Sequence, residues 1–527
     1  MHMKLARTSL VELTHLSAIE IADRVREGDV TAVEVVDAHI RRIEDVDRHL
    51  NAVVVRRFEA ARVEAAAIDA AVARGETVGP LAGVPTTIKE CYHVAGTPST
   101  MGLPSLAHDL ATDDSPLVAR LKAAGAIILG KTNVPQLMLM HETDNPLYGR
   151  TLNPWNARRS PGGSSGGEAA IIAACGSALG LAGDLGGSIR QPAHACGIHG
   201  LKSTSGRLTN AGGLSGFNGL EAMTVDTGPM ARSVADLAVA YEVLAAPGLD
   251  AIDCRVSPVP TRDPAAVELR GLRIAMWTHD GCFRPSPAIR RAVEEAAGAL
   301  RARGAIVESF APPHVEEAMR VYFRLMSADG GAGARRLRGN DPPQEQVRKL
   351  ARLGRLPRRW RPALARMLDL MGQSATATLL RCTGPSTAAD VWQLTRERDD
   401  WVAKFMAALD IGRYDAMLCP PHALPALTHG SFIHVPMAAS YSMMFNLLGV
   451  PAGVVAATRV RPGEESDRRA SRDWVERAAL AVEADSAGLP IGVQVAARHW
   501  REDVVLAVMQ ALEDHFSDQP DYPTFPG

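Results

Sequence analysis

One lysine and three serines are the residues from which nucleophilic chemistry could be built. Ser164 and Ser165 stand between two pairs of glycines in SPGGSSGGEAA. Ser188 ends the turn GDLGGS, and Lys89 ends the short apolar run PTTIK. A serine hydroxyl needs a base to become a nucleophile, and a lysine in a buried cleft can be that base because desolvation lowers its pKa. Each stretch taken alone is explained more simply as an ordinary loop.

The turn that leads to Ser188 could bind a developing negative charge. Gly186 and Gly187 lack side chains, so the chain can bend tightly there. Successive backbone N–H groups in such a turn can converge on one oxygen, which is the geometry of an oxyanion hole. The charged residues Asp184 and Arg190 flank the turn, and we expect them to make structural hydrogen bonds rather than to take part in the chemistry.

Two other motifs match known sequence patterns but lack the secondary structure that those patterns require. GAIILGKT (125–132) satisfies the phosphate-loop pattern G-x-x-x-x-G-K-[ST]. Its intervening residues resemble a strand and the helical segment SPLVARLKAAGA precedes it, the reverse of the required order. GGSSG (162–166) satisfies G-x-S-x-G, but the upstream NPWNARRSP cannot form the buried strand that a nucleophile elbow needs. Both interpretations are disfavoured.

A metal site is also disfavoured. His194 and His199 flank Cys196 in HACGIHG, but their spacing fits no strong ligand pattern. Buried or loop histidines explain them more simply. We expect no metal and no cofactor.

The elements that must position these residues have the texture of an α/β protein. Helical spacing marks the first 75 residues, with a break at Gly28 and a plausible N-cap at Thr31. Short apolar runs at 126–130 and 178–183 then alternate with turns and alanine-rich helices, as in an α/β sheet. Apolar runs return after a long helix-rich middle, so we expect one interleaved domain.

Composition limits the classes of function. The 527-residue chain is 46% hydrophobic and has a formal charge of −2, which gives no overall electrostatic case for a nucleic-acid partner. Its seven scattered cysteines contain no C-x-x-C pair and favour reduced thiols and a cytoplasmic location. The opening MHMKLARTSLVEL lacks the apolar run of a signal peptide, and no apolar stretch is long enough to span a membrane.

Taken together, the stretch GGSSGGEAAIIAACGSALGLAGDLGGSIRQPA closely resembles the signature of the amidase signature family of serine hydrolases. The resemblance implies that Ser188 is the nucleophile and Lys89 the general base. Ser164, preceded in the family by a cis peptide, would pass the proton between them. The same resemblance implies an oxyanion hole formed by the backbone N–H groups of Leu185, Gly186, Gly187 and Ser188, with Ser165 as a supporting hydrogen-bonding residue.

The resemblance also implies an architecture and a division of the chain. The fold would be a central twisted mixed β-sheet covered by helices on both faces, in a single domain over 10–516. Its parts would be N-terminal helices at 10–75, the signature core at 76–245, a helix-rich cap at 255–410 and a return to the core at 411–516.

From about residue 80 to 516 the chain is similar to the fatty acid amide hydrolases of this family. This implies hydrolysis of fatty or hydrophobic amides, a homodimer, and a substrate channel at Met138, Leu139 and Met140, although such residues are also common core fillers. The basic and apolar segment 349–372 would lie where those enzymes dock on membranes; an ordinary cap helix explains it equally well. A broad-specificity aryl or aliphatic amidase stays open, as does the amidase subunit of a glutamine-dependent amidotransferase.

Overall fold

The computed structural model describes residues 10–217, 219–354 and 356–526. Most of the opening segment on which the signal-peptide expectation rests therefore lies outside the described residues, as does Arg355 in the basic segment. The strands are β1 (Val53–Arg56), β2 (Pro85–Lys89), β3 (Ile127–Thr132), β4 (Asp144–Asn145), β5 (Gly149–Arg150), β6 (Leu179–Asp184), β7 (His199–Lys202), β8 (Asp226–Ala231), β9 (Arg273–Met276), β10 (Ile306–Ser309), β11 (Ala416–Cys419), β12 (Ala452–Arg459) and β13 (Pro490–Ala497).

Helices pack around these strands. They are α1 (Leu10–His15), α2 (Ala18–Glu27), α3 (Ala32–Leu50), α4 (Phe58–Ala73), α5 (Pro116–Ala123), α6 (Gly166–Ala173), α7 (Arg190–Cys196), α8 (Val234–Leu244), α9 (Pro287–Ala302), α10 (Val315–Met326), α11 (Ala332–Arg338), α12 (Glu345–Gly354), α13 (Arg361–Leu370), α14 (Ser374–Arg381), α15 (Ala388–Gly412), α16 (Ser440–Leu448), α17 (Trp474–Glu483) and α18 (Glu502–Phe516). None of the helices in the described ranges is long and apolar enough to cross a membrane.

A single mixed sheet forms the centre of the molecule. Over the described residues it has eleven strands in the order β1-β3-β2-β6-β8-β7-β12-β13-β11-β9-β10, while β4 and β5 form a separate pair. β2 runs parallel to both β3 and β6, and β6 is antiparallel to β8. The predicted α/β fold, a mixed sheet flanked by helices, is confirmed.

The central strands appear in the sequence as uninterrupted apolar runs because they are buried. Every residue of β2, β3, β6 and β13 is buried, and strands covered on both faces lack the alternation of half-exposed strands. The predicted N-cap is also confirmed: the Thr31 side chain accepts a hydrogen bond from Glu34 N at the start of α3. Gly28 ends α2 in the left-handed conformation, at φ +76°.

The helix-rich middle contributes to the sheet as well as to its surroundings. β9 and β10 lie within the segment 255–410 and form one edge of the sheet. Helices α13 and α14 pack on each other around a small apolar cluster of their own, made of Ala365, Leu368, Ala377 and Leu380. The limits drawn for the cap and the other parts of the domain stay predictions.

The phosphate-loop match is part of the sheet. Gly130, Lys131 and Thr132 are residues of β3, and helix α5 precedes the strand. Their backbone groups pair with β1 and β2. The order of helix and strand is thus the reverse of what a phosphate loop requires, as the sequence predicts.

Candidate active site

Lys89 is the last residue of β2, at the carboxyl end of a buried parallel strand. Its side chain is only 2% exposed. Nζ donates to Ser164 Oγ at 2.8 Å and to the Gly183 carbonyl at 3.0 Å. Burial lowers the pKa of the Lys89 ammonium, against the opposing influence of Cys91, Asp184 and Glu168. The lysine is therefore placed and desolvated as a base would be.

Ser164 and Ser165 lie in the loop that enters α6. The peptide bond between Gly163 and Ser164 is cis, as the resemblance implies. Ser165 N donates to the Ser188 carbonyl at 3.2 Å. The Ser165 hydroxyl makes a long contact of 3.5 Å with the Gly183 carbonyl. The two serine-bearing loops are thus tied together through the backbone.

One narrow cavity brings the candidate catalytic side chains together. Lys89, Ser164 and Ser188 all line it. Ser188 is 8% exposed. Among the hydrogen bonds of the described residues, none joins the Ser188 and Ser164 hydroxyls. Hydrogen bonds of this kind are often completed only in the complex with substrate.

The turn before Ser188 presents free backbone donors. In the part of the chain that the structure describes, the N–H groups of Leu185, Gly186 and Ser188 have no hydrogen-bond partner. Gly187 adopts φ +107°, a conformation that favours glycine, and its N–H donates to Asp184 Oδ1 at 2.7 Å. Gly187 can therefore serve an oxyanion only as a shared donor, whereas the other three N–H groups are available.

Asp184 and Arg190 form a fully buried ion pair beneath this turn. Arg190 Nη2 lies 2.9 Å from Asp184 Oδ1, and both side chains are 0% exposed. Burial alone would raise the pKa of Asp184, but the charge and hydrogen bonds of Arg190 outweigh it and hold that pKa well below its usual range. Arg190 also donates to Asn446 Oδ1, Gln494 Oε1 and the Ser442 carbonyl. The carboxylate therefore stays charged and holds the turn in place.

Tyr322 of α10 reaches the same turn and was not found by sequence reasoning. Its hydroxyl donates to the Leu185 carbonyl at 3.2 Å. No motif surrounds Tyr322, and it lies 137 residues from its partner. Only the packing of α10 over the site brings the two together.

The three residues predicted to form the substrate channel have different surroundings in the structure. Met138 lines the cavity, together with Leu137 and Phe217. Leu139 and Met140 are not among its lining residues, and Met140 is buried in the core. For Met138, Leu139 and Met140 alike the assignment to a substrate channel stays a prediction.

The segment 349–372 covers most of α12 and all of α13 and is exposed on one side. Trp360, Leu370 and Met371 are 58%, 83% and 55% exposed. Lys349 pairs with Glu345 within α12. The segment thus presents exposed apolar side chains, and the Arg359 guanidinium lies over the Trp360 ring, 5.9 Å from its centroid.

The two histidines considered for a metal have separate partners. His194 Nδ1 accepts from Gly492 N, and Nε2 contacts the Leu424 carbonyl. His199 Nε2 lies 3.2 Å from Glu513. Across the described residues no group of three His, Cys, Asp or Glu side chains could hold a metal ion.

The chain is similar to known proteins over most of its length. A family model described as Amidase matches residues 34–506. Fatty-acid amide hydrolase 1 of Sus scrofa is 33% identical over 504 residues, covering 94% of this chain and 84% of the relative. The glutamyl-tRNA(Gln) amidotransferase A-subunit of Roseiflexus sp. (strain RS-1) is 32% identical, covering 97% of this chain and 99% of the relative. A solved structure of a fatty acid amide hydrolase superposes with a TM-score of 0.84 at 27% identity, covering 97% of this chain and 87% of that one.

Proposed function

The chain belongs to the amidase signature family and is an amide-hydrolysing enzyme, and from this premise we propose that it cleaves hydrophobic carboxylic amides through an acyl-enzyme on Ser188. Lys89 is the general base, and Ser164 carries the proton between the lysine and the nucleophile. The observation that supports this assignment best is the 2.8 Å bond between Lys89 Nζ and Ser164 Oγ, in a cavity that Ser188 also lines.

The proposed reaction divides amide cleavage into two displacements. Ser188 Oγ attacks the amide carbonyl carbon while its proton passes through Ser164 to Lys89. The lysine then returns the proton through Ser164 to the leaving nitrogen, the C–N bond breaks and the amine departs. Water attacks the acyl-enzyme by the same proton path and releases the acid, which regenerates Ser188. A serine suits the middle position because its hydroxyl both donates and accepts hydrogen bonds.

The tetrahedral oxygen of each displacement needs donors. The unpartnered N–H groups of Leu185, Gly186 and Ser188 are the proposed oxyanion hole, with Gly187 as a fourth donor shared with Asp184. Loss of one such donor costs about 3–4 kcal/mol of transition-state stabilisation in other serine hydrolases. Ser165, Asp184 and Arg190 are proposed to hold this geometry without touching the substrate.

A hydrophobic acyl or amine group is the proposed substrate feature. Leu137, Met138 and Phe217 line the cavity beside the catalytic groups, and apolar walls bind apolar chains by excluding water. Turnover on amides of graded acyl length, with a simple anilide beside them, tests the proposal. A rate that rises with chain length is expected. A sharp preference for acyl groups of less than about four carbons would favour the aryl or short aliphatic amidase instead.

The amidotransferase subunit is the second candidate, because this chain is 32% identical to a relative named as such a subunit and covers 99% of its length. It predicts glutaminase activity and a partner subunit that copurifies. Hydrolysis of hydrophobic amides by the isolated chain, without glutaminase activity, would exclude it.

We further propose that the protein is a cytoplasmic homodimer that contacts membranes peripherally through 349–372. The exposed Trp360, Leu370 and Met371 support the contact, as does the Arg359 guanidinium over the Trp360 ring. Binding to anionic liposomes that weakens with salt is expected. Replacing Trp360 and Leu370 with serine should abolish it, whereas Trp392→Ser, an exposed tryptophan on α15, serves as the control. Sedimentation equilibrium tests the dimer.

Two substitutions test the catalytic assignment. Ser188→Ala should abolish turnover in a folded protein, and full retention of activity would refute the mechanism. Lys89→Ala should slow turnover severely and move its pH dependence to more alkaline values, because an external base must then replace the desolvated lysine.

A further inference from the structure

A second buried ionisable group lies beside Lys89 and has no role in the mechanism described so far. Glu168, on the first turn of α6, is 0% exposed. Its two carboxylate oxygens accept hydrogen bonds from the hydroxyls of Thr87 and Thr132. A buried carboxylate surrounded only by neutral donors is costly, so its retention in an alanine-rich helix calls for an explanation.

The register of the sheet places both threonines next to Lys89. Thr87 stands two residues before Lys89 in β2, so the two side chains project from the same face. Thr132 of β3 is the direct partner of Lys89 in the parallel pair. The carboxyl group is therefore bound by the two neighbours that flank the lysine on one face of the sheet.

The third neighbouring strand leaves room for the carboxyl group. Gly180 of β6 is the partner of Thr87. A Cβ on Gly180 would lie 2.1 Å from Glu168 Oε1. Any side chain at position 180 would displace the glutamate from its place over β2.

Other charges around α6 are engaged elsewhere. Lys89 is the charged group that acts on Glu168, and Lys89 itself is influenced by Cys91, Asp184 and Glu168. The buried or half-buried charged and titratable groups on the elements packed against α6 include several with partners of their own. These pairs are Arg190 with Asp184, Asp226 with Lys202, Asp47 with Arg56, His39 with the Val35 carbonyl, Arg42 with the Ala174 carbonyl, His194 with the Leu424 carbonyl, Asp37 with Arg62, and Cys196 with the Pro161 carbonyl. Glu90 and Lys131 alternate with Lys89 and Thr132 along the chain and bond to Thr100 and Ser99.

We propose that Glu168 is a positioning residue that acts through Lys89, its carboxylate stabilising the ammonium that forms when the lysine takes up the proton of the nucleophile. The inference rests on the proposed function of Lys89 as the base. Glu168 is not part of the proton path from Ser188 to Lys89, and it touches no substrate. Its charge makes Lys89 a stronger base, at the cost of keeping the lysine protonated to a higher pH.

The protonation behaviour of Glu168 is consistent with this role. Burial raises the pKa of Glu168 to about 7, against the opposing effects of the Thr132 and Thr87 hydroxyls and of Lys89. The nearby Lys89 charge therefore favours the ionised form of Glu168, the form that the proposal requires.

Glu168→Gln tests the proposal because glutamine keeps the shape and can still bond to both threonines, but carries no charge. The expected result is that the acid limb of the pH profile of kcat/KM moves to lower pH by about one unit. The plateau value of kcat/KM should fall about tenfold. Labelling of Ser188 by a fluorophosphonate, followed over the same pH range, should show the same displacement of the limb without depending on amide turnover.

Asp236→Asn is the matched control. Asp236 is also a buried carboxylate, but it accepts from Ala18 N and Ile19 N at the start of α2. Its loss should lower stability and leave the pH profile unchanged. If Glu168→Gln does not fold, Thr132→Val removes one donor to the carboxylate and should displace the limb in the same direction by a smaller amount.

The outcomes separate the two proposals. An unshifted limb in a folded Glu168→Gln variant, with turnover by Lys89→Ala severely slowed, overturns the role of Glu168 and leaves the assignment of Lys89 as the base intact. Full activity of Lys89→Ala would instead overturn the proposed function. A limb displaced equally by Asp236→Asn would reduce Glu168 to a structural residue.

Discussion

The hydroxyl of Tyr322 bonds to one peptide of the proposed oxyanion turn, and we expect its removal to slow the reaction. Tyr322 donates to the Leu185 carbonyl at 3.2 Å. That carbonyl shares a planar peptide with the N–H of Gly186, and the two point in opposite directions. Holding the oxygen towards α10 therefore aims the N–H away from α10, where it is free to meet an oxyanion. We expect Tyr322→Phe to make the direction of the Gly186 N–H less well defined.

The magnitude follows from the single bond that is lost. Phenylalanine keeps the ring, which packs edge-on against Phe323 with centroids 5.4 Å apart. A neutral hydrogen bond contributes about 0.5–1.5 kcal/mol net, which corresponds to a fall in kcat of about 2- to 12-fold. The upper limit is the loss of about 10²–10³-fold that follows complete removal of an oxyanion donor. KM should not change, because the negative oxygen exists only in the transition state.

Steady-state kinetics on a hydrophobic anilide separate the two parameters. A trifluoromethyl ketone, which forms a tetrahedral adduct with a serine, should lose affinity by the same factor as kcat. Tyr522→Phe is the control, because Tyr522 makes one long contact of 3.3 Å with His199, outside the cavity lining. A raised KM with unchanged kcat, or an unchanged inhibitor affinity, would refute the reasoning and make Tyr322 a packing residue.

Three further predictions concern the buried polar groups. Asp184→Asn leaves the Arg190 guanidinium buried without its counter-ion, so we expect activity to be lost and the free energy of unfolding to fall by about 3–5 kcal/mol. Urea unfolding measures the second effect, and a small change in both activity and stability would contradict the structural role of the pair. Ser164→Ala should reduce kcat/KM by about 10²–10⁴-fold. Ser165→Ala should reduce it far less, because the Ser165 hydroxyl makes only a 3.5 Å contact; equal losses would argue against Ser164 as the proton carrier. Burial lowers the pKa of His39 to about 4; because the unfolded chain takes up this proton near pH 6.5, stability should fall as the pH drops from 6.5 to 4, and His39→Gln should remove about 1.4 kcal/mol per pH unit from that slope. An unchanged slope in urea titrations of His39→Gln would show that this histidine is already protonated in the folded state.

Local pattern accounts for much of the fold. Uninterrupted apolar runs predict the buried strands β3 and β6, and the position of Thr31 before an amphipathic segment predicts the start of a helix. Both signals come from neighbours along the chain, where covalent geometry relates spacing to structure. The mixed direction of the strands and the edge formed by β9 and β10 depend on packing between distant segments.

The apolar run around Met138 marks where such patterns fail. Leu137 and Met138 have positive φ angles of 58° and 57°, so the chain departs from any regular repeat. Periodicity cannot then tell which side chain faces the cavity. The structure places Leu137 and Met138 in its lining, while Leu139 and Met140 are outside it.

The sequence by itself determined which residues are candidates for the chemistry, because Lys89 ends a short apolar run while Ser164 and Ser188 lie in glycine-rich stretches, in an order that resembles one family of hydrolases. Tertiary structure alone decided how their surroundings are arranged. Glu168 meets Thr87 and Thr132 through the register of parallel strands, and Tyr322 meets Leu185 through the packing of a helix 137 residues away. Contacts between segments so far apart leave no periodic trace in the chain, since they arise only when the sheet and the helices around it are assembled.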